Sequence, residues 1–173
     1  ITSSAAHRVK TRQLKFDVLA ESLVKAQGFS TAATLYGKKT EDEARAELAM
    51  AIGAPIYEVG LIIHPQQPWL SCSPDGIFWA RGTLQLVEIK CPYSLRDSYL
   101  IDHEKQTSFV PYIEYVNGCL VLKKSHPYYT QIMIMLYVSN LQHAFLYVYS
   151  KVRSISVSVD RDDDFLSEYV PKL

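Results

Sequence analysis

No stretch of this chain approaches the roughly 18 consecutive apolar residues of a membrane-spanning helix, so no membrane partner is expected. A secretory leader is missing too, and the chain opens at Ile1 without a methionine, which reads as a trimmed or partial chain. Cysteine is scarce. Its three copies, Cys72, Cys91 and Cys119, are odd in number and widely spaced, with no Cys-x-x-Cys pair. That argues against a disulfide framework or a zinc site, and for free thiols in a reducing intracellular compartment, whether cytoplasm, nucleus or organelle. The five histidines form no metal-spaced pair. They are dispersed, and His64 and His126 each precede a proline as loop residues do, so none is expected to be a ligand.

Net charge is absent as well, with 18 basic residues against 18 acidic ones. Broad, nonspecific binding of polyanions needs clustered Lys and Arg. Only local basic tracks remain, at His7, Arg8, Lys10, Arg12 and Lys15, at Lys38-Lys39 and at Lys123-Lys124, and any one of these alone reads as solvated surface charge. The chain has no internal repeat, low-complexity tract or Gly/Ser linker. What is left, 48% hydrophobic and 21% charged, is the composition of an ordinary globular protein. One domain over residues 1–173, large enough for a full core, is expected.

Hydrophobic periodicity predicts a long first helix capped by Ser3 or Ser4 and running to about Gln27, with Val9, Phe16, Leu19 and Leu23 on its apolar side and Gly28 as its stop. A second helix is expected from about Lys39 to Ile52, ended by Gly53-Ala54-Pro55. The texture then turns to β. Strands are read near Ile56–His64, Trp69–Ser71, Ile77–Ala80 and Thr83–Lys90, with turns at Pro65, Pro68, Pro74-Asp75-Gly76 and Arg81-Gly82. The polar stretch Ser94–Phe109 reads as helix, and Asn117-Gly118 between two apolar runs reads as a type I′ hairpin. Tyr128–Ser139 is apolar nearly all round, so it is a buried helix. Strands at about Ala144–Tyr149 and Ser154–Val159 follow, and the acidic run Asp160–Asp164 suits the start of a last short helix. Such an order implies an α/β or α+β sandwich.

Chemistry concentrates around Ser73-Pro74-Asp75-Gly76 and, twelve residues on, Glu88-Ile89-Lys90. Side chains alternate along a strand, so Leu84, Leu86, Glu88 and Lys90 share one face, and Gln85, Val87 and Ile89 the other. A carboxylate and an ammonium thus emerge together at the end of an apolar strand, where burial is costly without a partner. Glu-x-Lys alone reads first as a structural ion pair. Asp75 changes that, because a Pro-Asp-Gly turn can place its carboxyl opposite Glu88. Its plain alternative is an Asx-turn residue. Two carboxylates converging with a lysine suit Mg²⁺ or Mn²⁺, hard cations that take oxygen ligands and keep several waters.

Two more positions point the same way. Glu41 lies on the helical stripe of Ala44, Leu48 and Ile52, where it needs a partner, either a metal or Arg45 one turn on. Gln131 is the polar exception in the apolar helix Tyr129–Val138, and a buried amide must be hydrogen-bonded to structure, to a phosphate or to water. The 12 tyrosines read chiefly as core and rim packing, with base stacking as the alternative.

The pattern Pro-Asp…Glu-x-Lys resembles the PD-(D/E)xK nuclease superfamily. The stretches Ile1–Ser4, Tyr36–Arg45, Ser71–Gly76, Leu86–Pro92 and Tyr128–Gln131, in that order, are similar to its lambda-exonuclease-like, YqaJ-type viral recombinase branch. Leu122–Tyr129 is similar to cellular, animal-type members. The resemblance implies a restriction-endonuclease-like core, a central mixed β-sheet flanked by helices. By position it implies metal ligation by Asp75, Glu88 and the Ile89 carbonyl, with Glu41 near a second metal position. Lys90 becomes the catalytic lysine and Gln131 an active-site glutamine. Ser3 and Ser4 would lie near a bound 5′-phosphate, and Arg12, Lys38 and Arg45 are the candidate DNA contacts. Where the family often has Gln-x-Gln, this chain has Gln131-Ile132-Met133. The Arg that commonly precedes the Ile-Thr segment would lie before residue 1.

The implied activity is Mg²⁺-dependent exonucleolytic cleavage of duplex DNA from a free 5′ end, by a homo-oligomer that in similar phage proteins is a trimer. Two alternatives stay open from sequence: a structure-specific endonuclease with the same metal core, and a nucleic-acid-binding module whose site has decayed.

Overall fold

The computed structural model describes residues 1–25, 31–80 and 82–173. Its elements run α1 (Ser3–Lys10), α2 (Phe16–Val24), α3 (Ala32–Ile52), β1 (Ile62–Ile63), β2 (Ser71–Cys72), β3 (Gly76–Ala80) and β4 (Thr83–Lys90). There follow β5 (Ile101–Asp102), β6 (Thr107–Ser108), β7 (Ile113–Val116), β8 (Cys119–Leu122), α4 (Pro127–Ser139), β9 (His143–Val148), β10 (Ile155–Asp160) and α5 (Asp163–Tyr169). The centre is a four-stranded mixed sheet in the order β10-β9-β4-β3. Strand β4 pairs antiparallel with β3 and parallel with β9, and β9 pairs antiparallel with β10.

Alternation along β4 and β9 divides the core in two. Leu86, Ala144, Leu146 and Val148 face α4, where Ile132, Met133, Ile134, Met135 and Leu136 are all fully buried. Val87, Ile89, Tyr147 and Tyr149 point the other way, with Phe78, onto Ala44 and Leu48 of α3. Removing each such side chain from water is worth about 1.5–3 kcal/mol, and this burial fixes the register that puts Glu88 on the α4 side. The sheet flanked by helices is the layered α/β architecture expected.

Strand β4 spans the expected residues, and so does the hairpin β7–β8, whose turn residues Asn117 (φ 50°) and Gly118 (φ 80°) are both left-handed, as a type I′ turn requires. The buried helix α4, capped by His126 through Tyr128 N at 3.2 Å, starts at Pro127. Helix α3 ends at Gly53 in the left-handed conformation, as expected. Its start lies earlier than the expected Lys39: Thr31 Oγ1 accepts from Thr34 N at 3.2 Å, and the first two turns carry no apolar stripe because they do not pack on the sheet.

Three expectations fail. The first helix is broken into α1 and α2 by a bend at Thr11–Lys15, with Lys15 left-handed (φ 56°), and its N-cap is Thr2 rather than Ser3 or Ser4. Val9, Phe16, Leu19 and Leu23 do form one apolar surface, but by facing one another across the bend instead of lining one straight helix. The proposed stop at Gly28 lies outside the described residues, as does Arg81 of the Arg81-Gly82 turn. Second, Ser94–Phe109 is not helical. It is a 3₁₀ turn at Tyr93–Leu95 followed by the small hairpin β5–β6. Leu100 and Ile101 are buried within it, and the segment is tied down by Ser150 Oγ donating to Ser98 O at 2.6 Å. Third, of Ile56–His64 only Ile62–Ile63 forms a strand, paired with β2, while Tyr57 makes an isolated bridge to Ile77.

That bridge locks the Asp75 turn. A Cβ on Gly76 would collide with the Ile56 side chain and come within 3.3 Å of the Tyr57 carbonyl oxygen. Gly76→Ala should therefore destabilise by about 1–3 kcal/mol through overpacking, read as a lower urea midpoint; an unchanged midpoint would mean that Ile56 yields freely.

Asp162 caps α5. Its carboxylate accepts from Phe165 N at 3.0 Å, from the Tyr129 hydroxyl at 2.6 Å and from Lys124 Nζ at 2.7 Å. These donors, Lys124 and Tyr129 foremost, hold its pKa below the ordinary carboxylate value. A depressed folded-state pKa contributes stability above the unfolded value of about 3.9, lost as pH falls through the folded one. Asp162→Ala should cost about 1–2 kcal/mol near neutrality, and the difference from wild type in urea titrations should shrink below about pH 4.

Candidate active site

Asp75 is positioned by the β3–β4 ladder. Its N–H donates to Val87 O at 3.1 Å, and its Oδ2 accepts from Ile89 N at 2.6 Å. The turn therefore lies against the last residues of β4, opposite Glu88, as the strand pairing implied. Glu88 is only 2% exposed. Its Oε1 accepts from Lys90 Nζ and from Gln131 Nε2 of α4, the latter at 2.7 Å. Its Oε2 is buried with no hydrogen-bond partner among the described residues. Lys90 Nζ also sits 4.5 Å from the centre of the Tyr128 ring, a favourable cation–π distance.

Glu41 enters from α3. Its Oε1 accepts from Arg45 Nη2 at 2.7 Å, and the same guanidinium donates from Nε to the Asp75 carbonyl at 3.0 Å and from Nη1 to Asp42 (2.7 Å) and Glu58 (3.1 Å). Arg45 is buried; its bond to the Asp75 carbonyl ties α3 to that turn, and its bond to Glu58 reaches the segment after the helix. Its donors are thereby spent within the protein, which makes it a brace for two carboxyl-bearing segments more than a phosphate contact.

The electrostatics follow from burial. Desolvation raises the pKa of Asp75, against the opposing pull of the Ile89 N–H, Lys90 and Arg45. Desolvation also raises Glu41, with the Asp75 charge adding to it and Arg45 opposing. For Glu88 burial is again the largest cause, Lys90 opposes it, Asp75 adds to it, and the pKa is pushed up to about 7. Burial would lower Lys90, but the Glu88 carboxylate outweighs it and holds the ammonium protonated. Three carboxyl groups thus share a poorly solvated space with two cations, one of which, Arg45, also serves Asp42 and Glu58.

This donor set suits a divalent cation. It is all oxygen, the preference of hard ions, and an orphaned oxygen such as Glu88 Oε2 needs an explanation. Among the described residues no group of three or more His, Cys, Asp or Glu side chains forms a ready cage. Any ion here would be held by a few protein oxygens and water, in the manner of Mg²⁺.

A cavity of about 420 Å³ opens beside these residues. Helix α3 supplies Ala33, Thr34, Gly37, Lys38 and Glu41 to one wall; Ile89–Tyr93, Tyr112 and Tyr128 form the other. The expected site residues Glu41, Lys90 and Lys38 line it directly, with Asp75, Glu88 and Gln131 bonded behind them. Ser3, Ser4 and Arg12 do not line it. Ser3 is buried in α1, Ser4 shares a hydrogen bond with Thr2 at 3.1 Å, and Arg12 donates to Lys15 O at 2.9 Å. Sequence reading passed over Tyr93, Tyr112, Tyr128 and Cys91 as cavity walls. Tyr112 and Tyr128 lie far from β4 in sequence and arrive only through the packing of the β7–β8 hairpin and α4. No histidine lines the cavity: His7 sits on Thr130 and His143 on Asp160, while His126 packs against the wall residues Tyr112 and Tyr128. All three cysteines are free thiols. Among the described residues no helix is long and apolar enough to cross a membrane.

Solved structures similar to the chain include exonucleases. The chain is 25% identical to LHK-Exo solved in complex with dAMP, with a TM-score of 0.73, over 99% of this chain and 83% of that one. A second structure of LHK-Exo, an alkaline exonuclease from Laribacter hongkongensis, is 24% identical with a TM-score of 0.72 over 99% and 82% of the two chains. A phage-related exonuclease from Haemophilus somnus 129PT has the same fold at 11% identity, with a TM-score of 0.64 over 99% and 89%. No curated protein sequence matches the chain. The profile of the YqaJ-like viral recombinase domain matches residues 1–142. With its restriction-endonuclease-like sheet and its Asp75, Glu88 and Lys90 gathered at the end of β4, the chain belongs to the YqaJ-like viral recombinase domain family.

Proposed function

We propose that the protein is a divalent-metal-dependent DNA exonuclease that degrades linear duplex DNA from a free 5′ end. Family membership and the likeness to alkaline exonucleases support a nuclease acting at DNA ends. The 5′ polarity, and action as a homo-oligomer of three copies, rest on the sequence resemblance. The observation that carries the catalytic reading is the buried Glu88, one oxygen held by Lys90 and Gln131 and the other unpartnered among the described residues, beside Asp75.

Asp75, Glu88 and the Ile89 carbonyl would hold Mg²⁺ or Mn²⁺, with Glu41 near a second metal position. When bound, the ion supplies Lewis acidity toward the scissile phosphate and toward a water. The remaining work belongs to the chain. Lys90, protonated and facing the cavity, orients the attacking water and offsets the negative charge that grows on the phosphate. Gln131 pins the Glu88 carboxylate from the α4 side through Oε1 and leaves Oε2 available. Arg45 holds Glu41 and the Asp75 turn at a fixed separation. Tyr128 keeps the lysine in place from below by cation–π contact.

Replacing Lys90 by Gln retains a hydrogen-bonding partner for Glu88 but removes the charge. Nucleotide release from linear duplex in Mg²⁺ should fall by about 10²–10³-fold while the far-ultraviolet circular dichroism stays that of wild type; a variant as fast as wild type would falsify the assignment. Substrate mode is decided separately. Linear duplex labelled at one 5′ end should lose its label first, with Mg²⁺ required and Ca²⁺ supporting binding without turnover, whereas a covalently closed plasmid should remain intact. Cutting of the plasmid would favour an endonuclease, and loss of 3′ label first would reverse the polarity.

A further inference from the structure

Helix α3 carries a glycine that nothing in the described fold requires. Gly37 sits in the second turn of a 21-residue helix, its φ is not positive, and a Cβ built on it meets no atom within 4 Å among the described residues. Glycine is the poorest helix former after proline, because it has most backbone freedom to lose. At Gly76 the protein itself explains the missing side chain, since Ile56 lies over it. At Gly37 no atom of the described residues does. What lies over Gly37 is the cavity.

The surroundings say what the space is for. Ala33, Gly37 and Glu41 recur every four residues, so one face of α3 forms a shallow floor that leads to Glu41 and Lys90. Beside that floor Lys38 is exposed and has no salt-bridge partner among the described residues. Across the cavity stands Tyr93, 42% exposed, with the Arg96 guanidinium 4.3 Å from its ring centre and Tyr36 packed edge-on at 5.6 Å. A bare floor, a cation and a braced aromatic ring match the parts of one nucleotide: sugar and phosphate for close backbone approach, charge for the phosphate, a π-face for the base. The volume of about 420 Å³ suits one such unit.

Resting on the nuclease reading, we infer that Gly37 is a substrate-contact residue: the nucleotide next to the scissile phosphate passes over it, with its phosphate at Lys38 and its base against Tyr93. The helix gives up stability at Gly37 to keep that passage open.

This arrangement makes stability and function move in opposite directions. Gly37→Ala should raise Tm by about 2–4 °C, as a glycine-to-alanine gain in an exposed helix does in a domain of this size, yet weaken binding of a fluorescent 5′-phosphorylated oligonucleotide in Ca²⁺. Gly37→Leu, whose longer side chain extends from that open Cβ position into the cavity, should reduce kcat/KM on linear duplex by about 10²-fold through misplacement of the strand, with the Mg²⁺ dependence unchanged. Lys38→Ala should lower the salt slope of oligonucleotide binding by about 0.7. Gly37→Leu binding and cutting within twofold of wild type would overturn the inference, as would an unchanged Gly37→Ala affinity should the leucine variant not fold. A wild-type protein that releases no nucleotides sinks the nuclease reading instead, and oligonucleotide affinity still decides the role of Gly37.

Discussion

A carboxylate buried at the end of a strand is the constraint around which this molecule is arranged. Glu88 is almost wholly removed from water, at a position where an unpaired charge would be prohibitive. Lys90 and Gln131 take one of its oxygens and leave the other without a partner among the described residues. Each neighbour comes from a different direction: Lys90 from the same strand, Gln131 from the helix covering one sheet face, Asp75 from the adjoining turn. Holding them requires the whole layered core, because β4 can carry a charge inward only if Leu86 on that face is sealed by α4 and Val87 and Ile89 on the other by α3.

Arg45 is the second element of this economy. It is buried, yet every bond it makes is to a group on or near the Asp75–Glu41 side of the cleft. A guanidinium suits this because its planar fork can satisfy several acceptors at once. The consequence is a rigid separation between a helix and a turn that share no strand pairing. The half of α3 beyond that brace is freed from packing on the sheet, and it is this half that forms the cavity wall with Gly37 and Lys38.

Local rules were reliable where one force dominated. Alternation placed Glu88 and Lys90 on the face of Leu86, and the Asn117-Gly118 turn closed its hairpin on the expected residues. The apolar helix around Gln131 is buried as its composition required, and Ala44 and Leu48, on the stripe of Glu41, pack on the sheet while Glu41 lines the cavity. Those rules failed where tertiary contacts overrode weak local signals. No residue type announces the bend at Lys15. The polar segment after Pro92 carries no periodicity to distinguish a helix from a small hairpin, and its fold is set by distant partners such as Ser150.

From its sequence alone the chain determined its family, its layered class and the identities of Asp75, Glu88, Lys90, Glu41 and Gln131 as a candidate site, because motif spacing and hydrophobic period are properties of short segments. Only the tertiary structure decided how those groups share charge. That Gln131 reaches Glu88 across 43 residues, that Arg45 clasps the Asp75 carbonyl across 30, and that Tyr112 and Tyr128 wall the cavity are outcomes of packing. Pairings over such separations are set by which faces the core can bury, and no local pattern in the chain encodes them.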